Sequence, residues 1–258
     1  MSFDADLNAC AALVERGDQL RFRAVMAAPV SARRVLFPLY AFNVEVSRAP
    51  WVTKEPMIAE MRLQWWRDVC EEISGAGPVR RHEVATPLSE VLSAEDAKLL
   101  DGLVAARRWD IYTDAFEDEG HFEDYLDKTA GTLAWVAART LGRADEAVVR
   151  DAATGAGIAA WLLAVPELEA KGRIPLLDGT TAGVKALAQA GQTRLSRARA
   201  RRSAVSKAAR PALLHVGAAD ALLAQAVKEP VAVAEGRLPD PIEADRRRLA
   251  FRALTGRW

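Results

Sequence analysis

The chain has 258 residues, with 35 Lys plus Arg balancing 35 Asp plus Glu, and that neutrality argues against a nucleic-acid partner, which would draw on excess cations. Half of the residues are hydrophobic, so the chain is globular rather than disordered, and one helical domain of this length can bury a large core. Cys10 and Cys70 lack metal-ligand spacing and read as buried thiols in a reducing compartment. No apolar run reaches the ~18–20 residues that cross a bilayer. The start, MSFDADLNAC, carries acids where a targeting peptide carries bases. The expectation is a cytoplasmic protein.

Asp6 to Phe22 has the spacing of a first helix, with Leu7, Leu13, Val14 and Leu20 apolar. Pro29 and Ser31 set a turn, and Ser31 is the expected N-cap of the helix entering Tyr40. Leu36 to Asp68 contains two apolar helical segments, broken at Ala49-Pro50 and Glu55-Pro56 because Pro disfavours αR in the residue before it. In the second, Ile58, Met61, Trp65, Val69 and Ile73 form the predicted core stripe. Adjacent helical residues point ~100° apart. Trp65 therefore reads as core, Arg62 and Gln64 are placed to reach a cavity or a partner, and Trp66 reads equally as core or as functional surface.

Ser74-Gly75-Ala76-Gly77-Pro78 ends that helix, and His82 reads as a solvated loop histidine. Ser93 and Asp96 form a capping-box-like start for a helix expected from Ala94 to about Asp114. Further helices are predicted over Phe122 to Leu141, stopped by Gly142, and over Glu146 to Val165, Thr181 to Leu214 and Ala218 to Val227. No convincing period-two segment and no 20–50-residue repeat is present. The fold expected is all-α, one domain over residues 1–258.

Tyr40-Ala41-Phe42, the run Arg62 to Asp68, and Gly172-Arg173-Ile174-Pro175-Leu176 resemble landmarks of the squalene/phytoene synthase family, a similarity that runs from about Phe22 to the C-terminus. The resemblance implies a single-domain, isoprenoid-synthase-like helical bundle around a central cavity. Ala41-Phe42-Asn43-Val44-Glu45 is most similar to the branch containing the phytoene-synthase-type assembly factor of respiratory complex I. That branch has lost much of the family's Asp-rich chemistry.

Condensing prenyl diphosphates begins by ionising an allylic diphosphate. Mg²⁺ held by carboxylates neutralises the leaving group. Asp residues at i and i+4 supply such a pair on one helix face. By the resemblance, the first Asp-rich motif falls on Ser47, Arg48 and Trp51, and the second on Ala164 and Leu168, with Glu167 beside them. The implied protein is a catalytically degenerate member with no catalytic residue, no metal ligand and no cofactor. The alternative is an active prenyltransferase that converts farnesyl or geranylgeranyl diphosphate to squalene or phytoene with Mg²⁺.

Candidate cavity or ligand-binding residues are Arg21, Tyr40, Asn43, Glu45, Arg48, Arg62, Trp66, Asp110 and Glu167. Arg21 stands where family synthases carry Ser, and Arg48 puts a cation where Mg²⁺ would go; an arginine can hold phosphate oxygens directly. Asp110 and Asp114 form a D-x-x-x-D pair, of which Asp114 reads as a solvated helix end. Asp68 and Glu72 read as a solvated ion-pair face, with Arg67 expected to pair with Glu71. The basic run from Arg194 to Arg210 reads either as a solvated helix face or as a docking surface for an anionic membrane or acidic partner. Its docking candidates are Arg197, Arg201 and Arg202. The partners implied are respiratory complex I subunits or assembly intermediates, a prenyl lipid or prenyl diphosphate, and a membrane surface; nucleic acid is not among them.

Overall fold

A computed structural model describes residues 3–53 and 55–258. The first predicted helix is two, α1 (Phe3–Gly17) and α2 (Gln19–Ala27). A Cβ at Gly17 would stand 2.4 Å from Val44 Cγ1, so the chain passes too close to its neighbour there for a side chain. Asp18 then caps α2 by accepting from the Arg21 backbone N–H at 2.9 Å. α3 (Val30–Arg48) begins directly after Pro29, which puts Ser31 inside the first turn rather than at the N-cap. From Leu36 to Val44 every residue of α3 is buried, as expected of a helix at the centre of a bundle.

A 3₁₀ turn, Ala49–Trp51, leads to α4 (Pro56–Glu71), so both predicted Pro breaks occur. α4 is rotated from its expected stripe. Ala59, Leu63, Trp66, Val69 and Cys70 are buried, Trp65 is half-buried, and Met57, Ile58 and Met61 face outward. Trp66 is the core residue because it meets Phe42 edge-on at 5.3 Å, while Trp65 lies outside it beneath Arg80. Arg67 pairs with Asp101 at 2.7 Å instead of Glu71, and Glu72 pairs with Arg80. His82 is not a solvated loop residue: its ring lies against both tryptophans, and Nδ1 accepts from the Val84 N–H at 3.1 Å.

After α5 (Ala85–Ser89), α6 (Ala94–Ala106) starts at the predicted reciprocal Ser93–Asp96 capping box. It ends earlier than expected, in a 3₁₀ segment Arg107–Ile111. The helix predicted over Phe122 to Leu141 is α7 (Glu119–Leu126) and α8 (Thr132–Leu141), joined by a π-helical turn Asp127–Gly131. α9 (Glu146–Ala170) continues past Pro166. Contrary to the sequence reading, α9 is long and apolar enough to cross a membrane; 61% of that stretch is buried inside the protein, as befits its central helix.

α10 (Thr181–Ala200) packs along α9, and the stretch predicted helical to Leu214 breaks into 3₁₀ turns at Arg202–Ala204 and Arg210–Ala218. α11 (Ala219–Lys228), α12 (Val231–Ala234) and α13 (Pro241–Thr255) complete the chain. Among the described residues there is no strand, only an isolated bridge between Ala144 and Val205. The buried side chains form one contiguous cluster, in which Cys10 and Cys70 are the expected buried free thiols.

Candidate functional site

Along one face of α9, Ala153, Ala156, Ala160 and Ala164 recur at steps of three and four. Side chains this short cannot fill the bundle, and a cavity of about 660 Å³ remains between α9 and the ends of α2 and α3. Its volume is that of a small-molecule or lipid chamber. The π turn Asp127–Gly131 turns Thr129 and Ala130 toward it, while Tyr125 and Trp161 close its flank. Trp161 is fixed by donating its indole N–H to the Pro175 carbonyl at 2.8 Å.

The mouth is built from the C-terminal ends of α3 and α9. Ser47, Arg48 and Trp51 stand there with Ala164, Glu167, Leu168 and Lys171. The positions inferred for the two Asp-rich motifs, more than a hundred residues apart in sequence, therefore share one opening. Their chemistry does not suit Mg²⁺. The Ser47 hydroxyl donates back to the Val44 carbonyl at 3.2 Å. Glu167 points largely into solvent, 2.6 Å from Lys171. Lys171 and Arg173 lie over the Trp51 ring at 4.3 and 5.0 Å. Among the described residues no three His, Cys, Asp or Glu side chains converge as a ligand set. A hard dication needs several oxygen donors, and cations with an indole repel it or offer none.

The interior of the cavity is different. Asp110 accepts from Tyr125 Oη at 2.8 Å and from Arg107 Nη1 at 3.1 Å, and Arg107 also donates to Tyr125 Oη at 2.7 Å. Arg173 donates to the Asp110 carbonyl. Burial disfavours the Arg107 charge, but Tyr125 and Asp110 outweigh it and hold the guanidinium firmly protonated. Burial pushes the Tyr125 phenol well above its ordinary range. Across the cavity, Asp18 and Arg21 form a pair at 2.6 Å, with Arg21 over the Tyr40 ring at 5.5 Å. Burial would raise the Asp18 carboxyl, yet Arg21 holds it below the usual carboxylate range. Burial, aided by Arg21, pushes His215 down to about 3, so its imidazole is neutral. His215 Nδ1, Arg21 Nε and Arg107 Nε have no hydrogen-bond partner.

Of the candidate residues, Arg21, Asn43, Arg48, Asp110 and Glu167 line the cavity. Tyr40 lies behind Arg21 in the core and donates to the Ala212 carbonyl at 3.2 Å. Glu45 is outside the lining because it sits two positions from both Asn43 and Ser47, ~200° round the helix from each. Arg62 is exposed on α4, and Trp66 is core. Asp114 is exposed, apart from Asp110. The docking candidates also change. Arg197 pairs with Asp151, Arg201 with Asp145 at 2.8 Å, and neighbouring Arg194 and Arg199 with Glu123 and Asp220. Arg202 is half-buried over Trp258, where burial and the nearby Arg199, Arg257 and Arg210 lower its pKa. The run is laced to acids from α7, the start of α9 and α11, not a free positive face. Sequence reasoning gave no role to Arg107, Lys171 or His215; the alternation of small residues along α9 was the available signal for a cavity.

An all-α chamber with facing helix ends is the architecture of the isoprenoid synthases. The sequence model of the squalene/phytoene synthase family matches residues 14–234, and the chain belongs to that family. It superposes on a dehydrosqualene synthase solved with a ligand, with a TM-score of 0.77 at 14% identity, covering 98% of this chain and 97% of the other. With squalene synthase HpnC from Alicyclobacillus acidocaldarius the TM-score is 0.73 at 17% identity, covering 92% and 97%. At these identities the likeness concerns the fold. A curated Drosophila melanogaster relative, NADH dehydrogenase (ubiquinone) complex I assembly factor 6 homolog, is 34% identical over 131 residues, 48% of this chain and 39% of that protein. Human NADH dehydrogenase (ubiquinone) complex I assembly factor 6 is 25% identical over 138 residues, 53% and 41%. The chain thus spans about two-fifths of the curated relatives it matches.

Proposed function

We propose that this protein assists assembly of respiratory complex I and does not condense prenyl diphosphates. The observation that carries the reading is the mouth of the cavity. Ser47, Arg48, Trp51, Ala164 and Leu168 occupy the two helix ends where a leaving diphosphate would need metal-bearing carboxylates. Metal-assisted charge neutralisation is worth several kcal/mol, and each ~1.4 kcal/mol is tenfold in rate. The relatives named as complex I assembly factor 6 supply the direction of the alternative role. The cavity itself favours a retained ligand, a prenyl lipid or prenyl diphosphate. Its wall is mainly apolar, and Arg21, Arg48 and Lys171 offer cations to an anionic head without a metal.

Two measurements test the proposal. Native affinity purification from the source cell should recover complex I subunits or assembly intermediates. Incubation with farnesyl or geranylgeranyl diphosphate and Mg²⁺ should yield no hydrocarbon. Robust Mg²⁺-dependent squalene or phytoene formation would replace this reading with that of an active prenyltransferase.

A further inference from the structure

The rotation of α4 leaves apolar side chains in water. Met57 is 75% exposed and Met61 65%, with Ile58 between them on the same outward arc. They are not scattered. α4 packs against the Ala49–Trp51 turn and the Arg107–Ile111 segment, which brings exposed Trp51 and Tyr112 to the same corner. Tyr112 Oη donates to Glu60 on α4 at 3.1 Å. Exposed Ile174 follows Arg173, whose guanidinium lies over Trp51. Exposed apolar side chains gathered at one corner mark an interaction surface.

Its occupant follows from its rim. The apolar points are flanked by Trp51 and Tyr112, each with an apolar ring and a polar attachment. Arg48, Arg62 and Lys171 stand exposed beside them, long enough to reach phosphate headgroups. Apolar residues bounded by Trp, Tyr and cations match the layering of a bilayer interface. Trp51 also lines the cavity mouth, so the apolar corner continues into the chamber.

We propose that the corner made by Trp51, the first turns of α4, Tyr112 and Ile174 docks on a lipid bilayer and sets the cavity mouth against the lipid interface. An apolar ligand then reaches the chamber without crossing water. That access route rests on the ligand reading above; the docking does not, and a vesicle assay fails or succeeds independently of complex I capture or turnover. Exposed Glu55 and Glu169 offset the nearby cations, so apolar insertion dominates over charge.

The test is co-sedimentation of the full chain with phosphatidylcholine vesicles and with equal parts phosphatidylcholine and phosphatidylglycerol. Binding to both is expected, and most of it should survive about 1 M salt, where the Debye length is ~3 Å. The triple variant Met57→Ser, Ile58→Ser, Met61→Ser should bind at least about tenfold more weakly, since it removes exposed apolar area without opening a core cavity. Phe251→Ser with Leu254→Ser removes exposed apolar side chains from α13 instead and should change binding less than about twofold. A second readout uses the two native thiols, both buried and pushed up to about 12 by burial, which leaves an introduced surface cysteine as the labelling site. A polarity-sensitive dye on Met57→Cys should shift blue on vesicles, and on Leu254→Cys it should not. The proposal is overturned by absence of vesicle binding, by binding abolished in salt, by equal loss in both serine variants, by wild-type binding of the triple variant, or by an unshifted dye at position 57.

Discussion

The mouth and the interior of the cavity are built to different rules. At the mouth, Glu167 and Lys171 form a largely exposed pair, and the remaining residues are an indole, small or apolar side chains and the exposed Arg48. Inside, Arg107, Asp110 and Tyr125 are tied together by three hydrogen bonds, and Asp18 with Arg21 faces them. Exposed pairs contribute little, whereas breaking a buried pair strands an unpaired charge. The shape of the chamber is therefore held by its interior, and the mouth is free to vary in chemistry without loss of fold. A protein can in this way lose the chemistry that activates a leaving group while keeping the space that holds a ligand.

The sharpest way to break that contrast is to restore the mouth. Ser47→Asp, Trp51→Asp, Ala164→Asp and Leu168→Asp together place an i, i+4 carboxylate pair on each wall. Calorimetry should then show Mg²⁺ binding near a millimolar Kd, about 4 kcal/mol, and none for the unmodified chain. If the quadruple variant folds and binds no Mg²⁺, the two helix ends do not face each other as described. Arg107→Ala should cost about 3 kcal/mol in chemical denaturation, because Asp110 is left buried without its guanidinium. A loss within experimental error would show that the interior network does not hold the chamber.

The third prediction concerns pH. The folded His215 pKa of about 3 lies below its ordinary value of 6.5. Between those values the unfolded chain binds the extra proton, so stability is lost as pH falls from about 6.5 toward 3. The loss should reach about 3 kcal/mol by pH 4, and His215→Gln should flatten that part of the profile. An unchanged slope in the variant would assign the acid sensitivity to the Asp18–Arg21 pair instead, whose carboxyl Arg21 holds low. The smallest effect belongs to the mouth: Glu167→Gln should move stability by no more than about 0.5 kcal/mol. A larger loss would erase the distinction between the two regions.

Features governed by neighbours in sequence were legible before the fold. The Ser93–Asp96 capping box, the stop at Gly142 and the breaks at Pro50 and Pro56 depend on contacts within a turn or on one residue's φ. The substituted motif positions followed from the resemblance, and the register along α3 and α9 carries Ser47, Arg48, Ala164 and Leu168 to the helix ends, with Trp51 in the 3₁₀ turn beyond α3. Where partners are distant the reading failed. α4 carries two overlapping apolar arcs, and periodicity alone cannot choose between them; Phe42 decides by taking Trp66. The basic run left a docking surface open because Asp145, Asp151 and Asp220 reach Arg201, Arg197 and Arg199 only through packing.

By itself, then, the sequence determined an all-α chain, because helix periodicity and caps are local properties, while its resemblance to the family's motif runs supplied the family and the positions where carboxylate pairs are missing. The tertiary structure decided that those positions share one mouth, that Arg107 and Tyr125 lock Asp110, and that Met57, Ile58 and Met61 stay in water. Each of these depends on which helix faces meet, and that choice minimises stranded charge and unfilled volume over the whole bundle rather than within any segment.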